Sequence, residues 1–382
     1  MRLPRRAAVA ALAALTTACL AQPSPAARRP GFAVSGNRIV DRSGHTVVLR
    51  GVNRAGTEGG PGASNVPVTD AEIGWLGNDH DGSWHASAVR VLMGAAQWTG
   101  ACPKLYDSPA HYQHRMDAEV RSITTRGMVA LLDLHTSTAG CTSIGRHAMP
   151  DAPVAQGFWT SVARHYAANP LVAFELYNEP HWVTEDVWRN GTKRALFQDC
   201  DPSLPMTALV ACQATQPRYQ AVGMQELRDL VASNAPGHLV VADGYDWGTA
   251  PPSQLLSGPV VYGLHPYSCS GPGSCQSRRY DHANVDLLRR WLPLARHAPV
   301  WVTEFGWPTR TPFGGEVDGS EYYRQTIGIL EAQKPAWGWL AFAFDGSSTG
   351  AFTLTSSTAT YAPNGTGKPV YQQLRQEDAP RT

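Results

Sequence analysis

No block of like charge follows the N-terminus. The 382 residues carry 32 Lys and Arg against 31 Asp and Glu, a formal net charge of +1. That balance argues against nucleic acid or an anionic membrane surface as a main partner. Neither Cys-x-x-Cys nor His-Glu-x-x-His occurs, so no metal site is expected. No Gly-rich phosphate loop follows the first core strand, which argues against a doubly wound nucleotide-binding sheet. Gly365-Thr366-Gly367-Lys368 runs straight into Pro369 and fails as a phosphate loop. No composition shift marks a second domain or a carbohydrate-binding module.

The N-terminus reads as an export signal over residues 1–21, followed by a Pro/Ala/Arg-rich linker over 22–30. Arg2, Arg5 and Arg6 precede an apolar, small-residue run from Ala7 to Ala18, too short to span a bilayer permanently. Thr16-Thr17-Ala18-Cys19 also resembles a lipoprotein box, which would lipidate Cys19; simple cleavage and secretion is the preferred reading. Six cysteines remain beyond it, Cys102, Cys141, Cys200, Cys212, Cys269 and Cys275. An even set in an exported chain implies disulfides. Cys200–Cys212 and Cys269–Cys275 are the local pairs, leaving Cys102–Cys141, although six cysteines allow about fifteen connectivities.

Apolar and polar periods alternate along the rest of the chain. Residues 32–41 read as a hairpin that could plug the bottom of a barrel. Eight strands are expected, starting near 47, 88, 128, 172, 238, 260, 299 and 338. Helices are expected over 110–126, 152–168, 216–233, 282–296 and 320–333, with a last one near 370–374. Most intervals hold a helical pattern; the one between strands five and six is weak, with only Ser253 to Leu256 available. The expected fold is α/β, a single-domain (β/α)8 (TIM) barrel over residues 31–382 with a short N-terminal hairpin.

In such a barrel the strand C-termini face one mouth. Asn53, Arg90, His135, Asn178, Glu179, His265, Tyr267 and Glu304 all lie in or just past an otherwise apolar strand. Singly, each has a bland reading: a core ion pair, a satisfied core histidine, a turn residue. Together they suit glycosidic cleavage, which needs a carboxylate nucleophile and a protonated carboxylic acid. Glu179 is the expected acid/base and Glu304 the nucleophile. Arg90 would keep Glu304 ionised, Tyr267 would donate to it, and Asn178 would hold the substrate's 2-hydroxyl. His135 and His265 would bind hydroxyls or position the acid. The 12 tryptophans suit either a large core or a sugar-stacking surface. Gly346-Ser347-Ser348-Thr349-Gly350 matches a serine-hydrolase elbow, but no helical pattern follows it. A non-catalytic sugar-binding barrel is a second rival; it would typically lack one of the two carboxylates.

Asn178-Glu179-Pro180 and Thr303-Glu304-Phe305-Gly306 resemble glycoside hydrolase family 5, the cellulase family of clan A. Leu49-Arg50-Gly51-Val52-Asn53, Val89-Arg90-Val91, Leu132-Asp133-Leu134-His135 and His265-Pro266-Tyr267 resemble its other strand-end motifs, in order. The resemblance implies a TIM barrel, double displacement with retention, no cofactor, and a carbohydrate partner. An endo-β-1,4-glucanase-like secreted monomer is expected; exo-acting, mannan-, glycolipid- and furanoside-cleaving members are the alternatives. The sequence departs from the family pattern in two places. Thr136 follows His135 where Asn is usual. On the eighth strand the usual Trp is replaced by Phe342, with Trp339 three residues earlier, and both are expected to contact substrate.

Overall fold

The computed structural model describes residues 31–58, 68–102, 108–137, 147–197, 200–267, 283–307, 318–344 and 352–376. The leader, the linker, Cys141, Cys269, Cys275 and the Ser348 motif lie outside them. Eight parallel strands close into a barrel. In chain order these are β3 (Arg50–Arg54), β4 (Ala88–Gly94), β5 (Val129–Thr136), β6 (Val172–Glu175), β9 (Val240–Asp243), β10 (Val261–Gly263), β11 (Val300–Phe305) and β12 (Gly338–Ala341). They neighbour one another in sequence order, and β12 pairs with β3 to close the ring.

Strand side chains alternate between the inside of the barrel and its outer helical layer. On β4, Val89, Val91 and Met93 pack outward, while Ala88 and Arg90 turn inward. On β6, Val172 and Phe174 pack outward, while Ala173 and Glu175 turn inward. The inner column is apolar at its base, with Ala88, Leu131, Ala173, Val241, Trp301 and Leu340. Toward the strand C-termini the same column becomes polar and charged. The hairpin of β1 (Phe32–Ser35) and β2 (Arg38–Asp41) turns at Gly36, whose φ of 59° suits glycine. It seats Ile39, Phe32 and Val34 against the apolar base, closing the bottom of the barrel.

Helices α3 (Pro109–Thr125), α4 (Ala152–Tyr166), α8 (Val285–Ala295), α9 (Ser320–Glu331) and α10 (Lys368–Gln376) match the periodic segments. Helix α7 begins later than its apolar pattern suggests, at Met224. Residues Arg218–Ala221 ahead of it form β8, which pairs antiparallel with β7 (Thr192–Phe197). The alternate burial of Tyr219 and Ala221 there has a strand's period, not a helix's. Between β7 and β8 lies α6 (Met206–Thr215), which buries none of its residues. Cys212 on α6 is disulfide-bonded to Cys200, as the local spacing suggests. The chain passes from β9 to β10 without a helix, in the interval where the helical pattern is weak.

Candidate active site

The barrel's polar end is organised around Arg90, which is fully buried. Nε donates to Glu175 Oε2 at 2.5 Å. Nη1 donates to Asn53 Oδ1 at 3.0 Å and to Glu304 Oε2 at 2.7 Å. Nη2 donates to Asn178 Oδ1 at 2.9 Å and pairs with Asp133 Oδ2 at 2.9 Å. Guanidinium has five N–H donors, and all are used. Burial alone would favour loss of the proton, but Asp133, Glu175 and Glu304 outweigh it and hold Arg90 charged.

Glu304 is the last residue but one of β11 and is buried. The pairing of β11 with β12 shifts register between Val302 and Phe305, and both Thr303 and Glu304 reach the inner side. Besides Arg90, Glu304 accepts the Tyr267 hydroxyl on Oε1 at 2.6 Å. Burial first, then the charges of Glu304 and Glu179, push the Tyr267 phenol well above its usual range, so it stays a donor.

Glu179 follows β6 in the left-handed region, with φ of 49°, uncommon for a residue with a side chain. Its Oε1 lies 3.1 Å from His265 Nδ1. His265 Nε2 lies 3.0 Å from the Thr303 hydroxyl and 3.4 Å from Asp243 Oδ2. Burial opposes a charged imidazole, but Asp243, Glu304 and Glu179 surround it and push its pKa up to about 10. Both ring nitrogens therefore carry protons near neutrality. One carboxylate oxygen each of Glu179 and Glu304 and a ring nitrogen of His265 lie within 4.8 Å of one another. A similar cluster joins Glu175, Asp243 and His265. Charged His265 joins the two clusters as a donor, facing Glu179 through Nδ1 and Asp243 through Nε2.

Among the remaining expected residues, Asn178 fixes its carboxamide oxygen on Arg90, which turns its NH2 the other way. His135 is 14% exposed and bonds through Nδ1 to Asp133 Oδ2 at 2.7 Å. Burial works against its charged form, and Asp133 reverses that and raises its pKa. Asn53 is fully buried beneath the site rather than at its mouth. Its Nδ2 donates to the carbonyls of Thr303 and Leu340, both at 3.0 Å, and its oxygen accepts from Arg90. Both its N–H groups are used, and full burial keeps its oxygen from a substrate. Trp339 also requires correction. It points into the helical layer, where Nε1 donates to Glu331 Oε1 at 2.8 Å and its ring packs edge-on to Phe305. Inward-facing Leu340 fixes the parity, which turns Trp339 outward, while Phe342 lies just past the last residue of β12. Phe342 is half-buried and packs against Phe352, which in turn packs against Tyr267.

A model of the cellulase family, glycosyl hydrolase family 5, matches residues 62–345. The chain belongs to glycosyl hydrolase family 5. Endoglucanase E-5 of Thermobifida fusca is 23% identical over 326 residues, 82% of this chain and 56% of that protein. Endoglucanase MaCel5A of Microbulbifer sp. (strain ALW1) is 26% identical over 326 residues, 82% of this chain and 51% of that one. The chain thus spans about half the length of these curated relatives. Among solved structures, the catalytic domain of T. fusca endoglucanase Cel5A superposes with a TM-score of 0.59 at 19% identity, covering 91% of this chain and 98% of that one. The β-glucanase SdGluc5_26A from Saccharophagus degradans, in complex with cellotetraose, gives 0.61 at 17% identity, covering 94% and 99%. At these identities the structural likeness shows the fold, a (β/α)8 barrel.

Within this family 5 barrel, several residues at the site escaped the sequence reading. Glu175 and Asp243 sit fully buried below the Glu179–Glu304 pair. Their signal was a lone acid within an apolar strand, as at Asp133. Beside Glu179, the Trp247 ring stacks on His181 at 3.7 Å, and Trp182 meets Trp247 edge-on at 5.7 Å. The Trp247 amide donates to Pro180 O at 2.9 Å, tying this aromatic group to the Glu179 loop.

Proposed function

We propose that this protein is a retaining glycoside hydrolase that cleaves β-linked glucan, with Glu304 as nucleophile and Glu179 as acid/base. The carrying observation is the approach of their carboxylate oxygens to within 4.8 Å. An oxygen–oxygen approach this close is compatible with the roughly 5–5.5 Å between the carboxyl groups of a retaining enzyme and favours it over the roughly 6.5–9.5 Å of an inverting one. In the first step Glu304 attacks the anomeric carbon while Glu179 protonates the departing oxygen. In the second, Glu179 removes a proton from water, and that water displaces Glu304 from the sugar. Arg90 and Tyr267 each donate to Glu304, one on each oxygen, and hold it aimed. The free NH2 of Asn178 faces a substrate hydroxyl in this reading.

The names of the relatives support a β-1,4-glucan as substrate. Aromatic groups lie on two sides, Trp182 and Trp247 tied to the Glu179 loop at Pro180, Phe342 and Phe352 against Gly306, with Phe352 also on Tyr267, the donor to Glu304. Sugar rings stacked on both sides support cleavage within a chain. Export and secretion are part of the same reading, supported by the Cys200–Cys212 disulfide. The test is hydrolysis of aryl glycosides and polysaccharides with gluco-, manno-, galacto- and furanosidic sugars. Glu304→Ala is expected to abolish turnover, and added azide to restore it with inverted product. Turnover that survives the substitution would sink the mechanism.

A further inference from the structure

The acid/base candidate does not hold itself. Its backbone sits in the left-handed region, and no covalent feature of a glutamate favours that. The Glu179 amide donates to Asp243 Oδ2 at 3.1 Å, from the end of β6 to the end of β9. The same Asp243 oxygen lies 3.4 Å from His265 Nε2, and His265 holds the Glu179 carboxyl through its other nitrogen. Thr303, next to Glu304, approaches Asp243 Oδ1 at 3.4 Å. One fully buried carboxyl group thus touches the backbone of Glu179, the imidazole on its side chain, and the residue preceding Glu304.

From this geometry we propose that Asp243 is the positioning residue for Glu179, holding its backbone directly and its carboxyl group through His265. The inference rests on Glu179 being the acid/base. Room for Asp243 is built into the next strand: a Cβ at Gly263 would collide with Asp243 Oδ1 and crowd the Thr303 hydroxyl at 3.1 Å. Glu175 lies on the other side, with oxygens of the two carboxyls within 4.8 Å, and Glu175 Oε1 has no conventional hydrogen-bond partner. Two buried carboxylates this close do not both ionise. Burial, then the Glu175 charge, push Asp243 well above the usual carboxylate range, while Arg90 overcomes burial to keep Glu175 ionised. The pair therefore shares one proton and one negative charge.

Asp243 acts on the acid and not on the nucleophile, and that distinguishes it from a merely structural residue. A dinitrophenyl glucan-oligosaccharide glycoside departs without a proton; the phenyl glycoside needs one. Asp243→Ala is expected to lower kcat/KM for the phenyl glycoside on the order of a hundredfold, and for the dinitrophenyl glycoside less than about tenfold. Asp243→Asn keeps an oxygen for the Glu179 amide and is expected to recover about tenfold over Ala on the phenyl glycoside, with the same bias between leaving groups. Should the Ala variant fail to fold, the leaving-group bias of the Asn variant decides alone. Wild type and Glu304→Ala are run beside them. A wild type inert on both glycosides counts against the glycosidase reading itself. Equal losses at both leaving groups in a folded, active variant overturn the role of Asp243, as does an Asn variant no better than a folded Ala variant.

Discussion

Arg90 binds two kinds of partner at once, the nucleophile candidate and the buried acids beneath it. Lysine at that position keeps the charge but not the fork. An ammonium has three donors on one atom and cannot reach Asn53, Glu175, Asp133, Asn178 and Glu304 together. Arg90→Lys is therefore expected to lower kcat on the order of a hundredfold, through a misplaced Glu304. It should also cost about 3–5 kcal/mol of stability, through buried carboxylates left unpaired. Steady-state kinetics and urea unfolding check the two effects; a variant with wild-type kcat would show that Glu304 needs charge nearby but no fixed geometry. At this scale the sequence displayed the residue types but not their depth. Asn53 and Asn178 both follow apolar strand residues, yet Asn53 lies fully buried beneath the site with both its N–H groups used. Asp243 passed unnoticed because a single acid inside a strand carries no spacing signal; its meaning comes only from strands β6 and β10 beside it.

The elements themselves were far more legible, because a strand buried on both faces must be apolar throughout and a helix on the outside must repeat every 3.6 residues. All eight barrel strands begin within three residues of where the apolar runs do. What the pattern did not disclose was the insertion of α5 (Glu185–Asn190), β7, α6 and β8, where α6 buries nothing and so has no period to detect. The sequence left both Trp339 and Phe342 facing the sugar, whereas the parity of β12 turns Trp339 into the helical layer and Phe342, just past the strand, packs against Phe352. This yields a paired prediction. Trp339→Phe is expected to leave kcat/KM unchanged and to cost roughly 1–2 kcal/mol, for the lost bond to Glu331 and the smaller ring. Phe342→Ala is expected to do the reverse, raising KM on the order of tenfold by removing a stacking face, with a modest change in melting temperature. Equal KM values in the two variants would show that the mouth does not use Phe342.

Over the whole molecule, the net charge of +1 leaves little self-repulsion near neutrality, so the pH dependence of stability is set by a few buried groups. Glu119 on α3 is one: burial, against the pull of Arg54, pushes its pKa up to about 8 from 4.5. The folded state then holds a proton that the unfolded state has released, and stability falls as pH rises across that window. His265, at about 10 against 6.5, works in the same direction over a higher window. Carboxylates shifted down, such as Asp70 at about 2 under the pull of Arg126 and Ser122, lose their contribution only in acid, below the ordinary value of 3.8. Stability should therefore peak on the acid side of neutrality and fall steadily toward alkaline pH. Glu119→Gln removes one of these contributions, while those of His265 and of Asp243, also held protonated by burial and the Glu175 charge, remain. Thermal melting across about pH 5 to 9 is expected to show a declining midpoint in the wild type. In the variant the decline should be shallower, the remaining fall coming from groups such as Asp243 and His265, which keep protons that the unfolded state has released. A variant curve parallel to that of the wild type would show that Glu119 ionises freely in place, through water reaching α3.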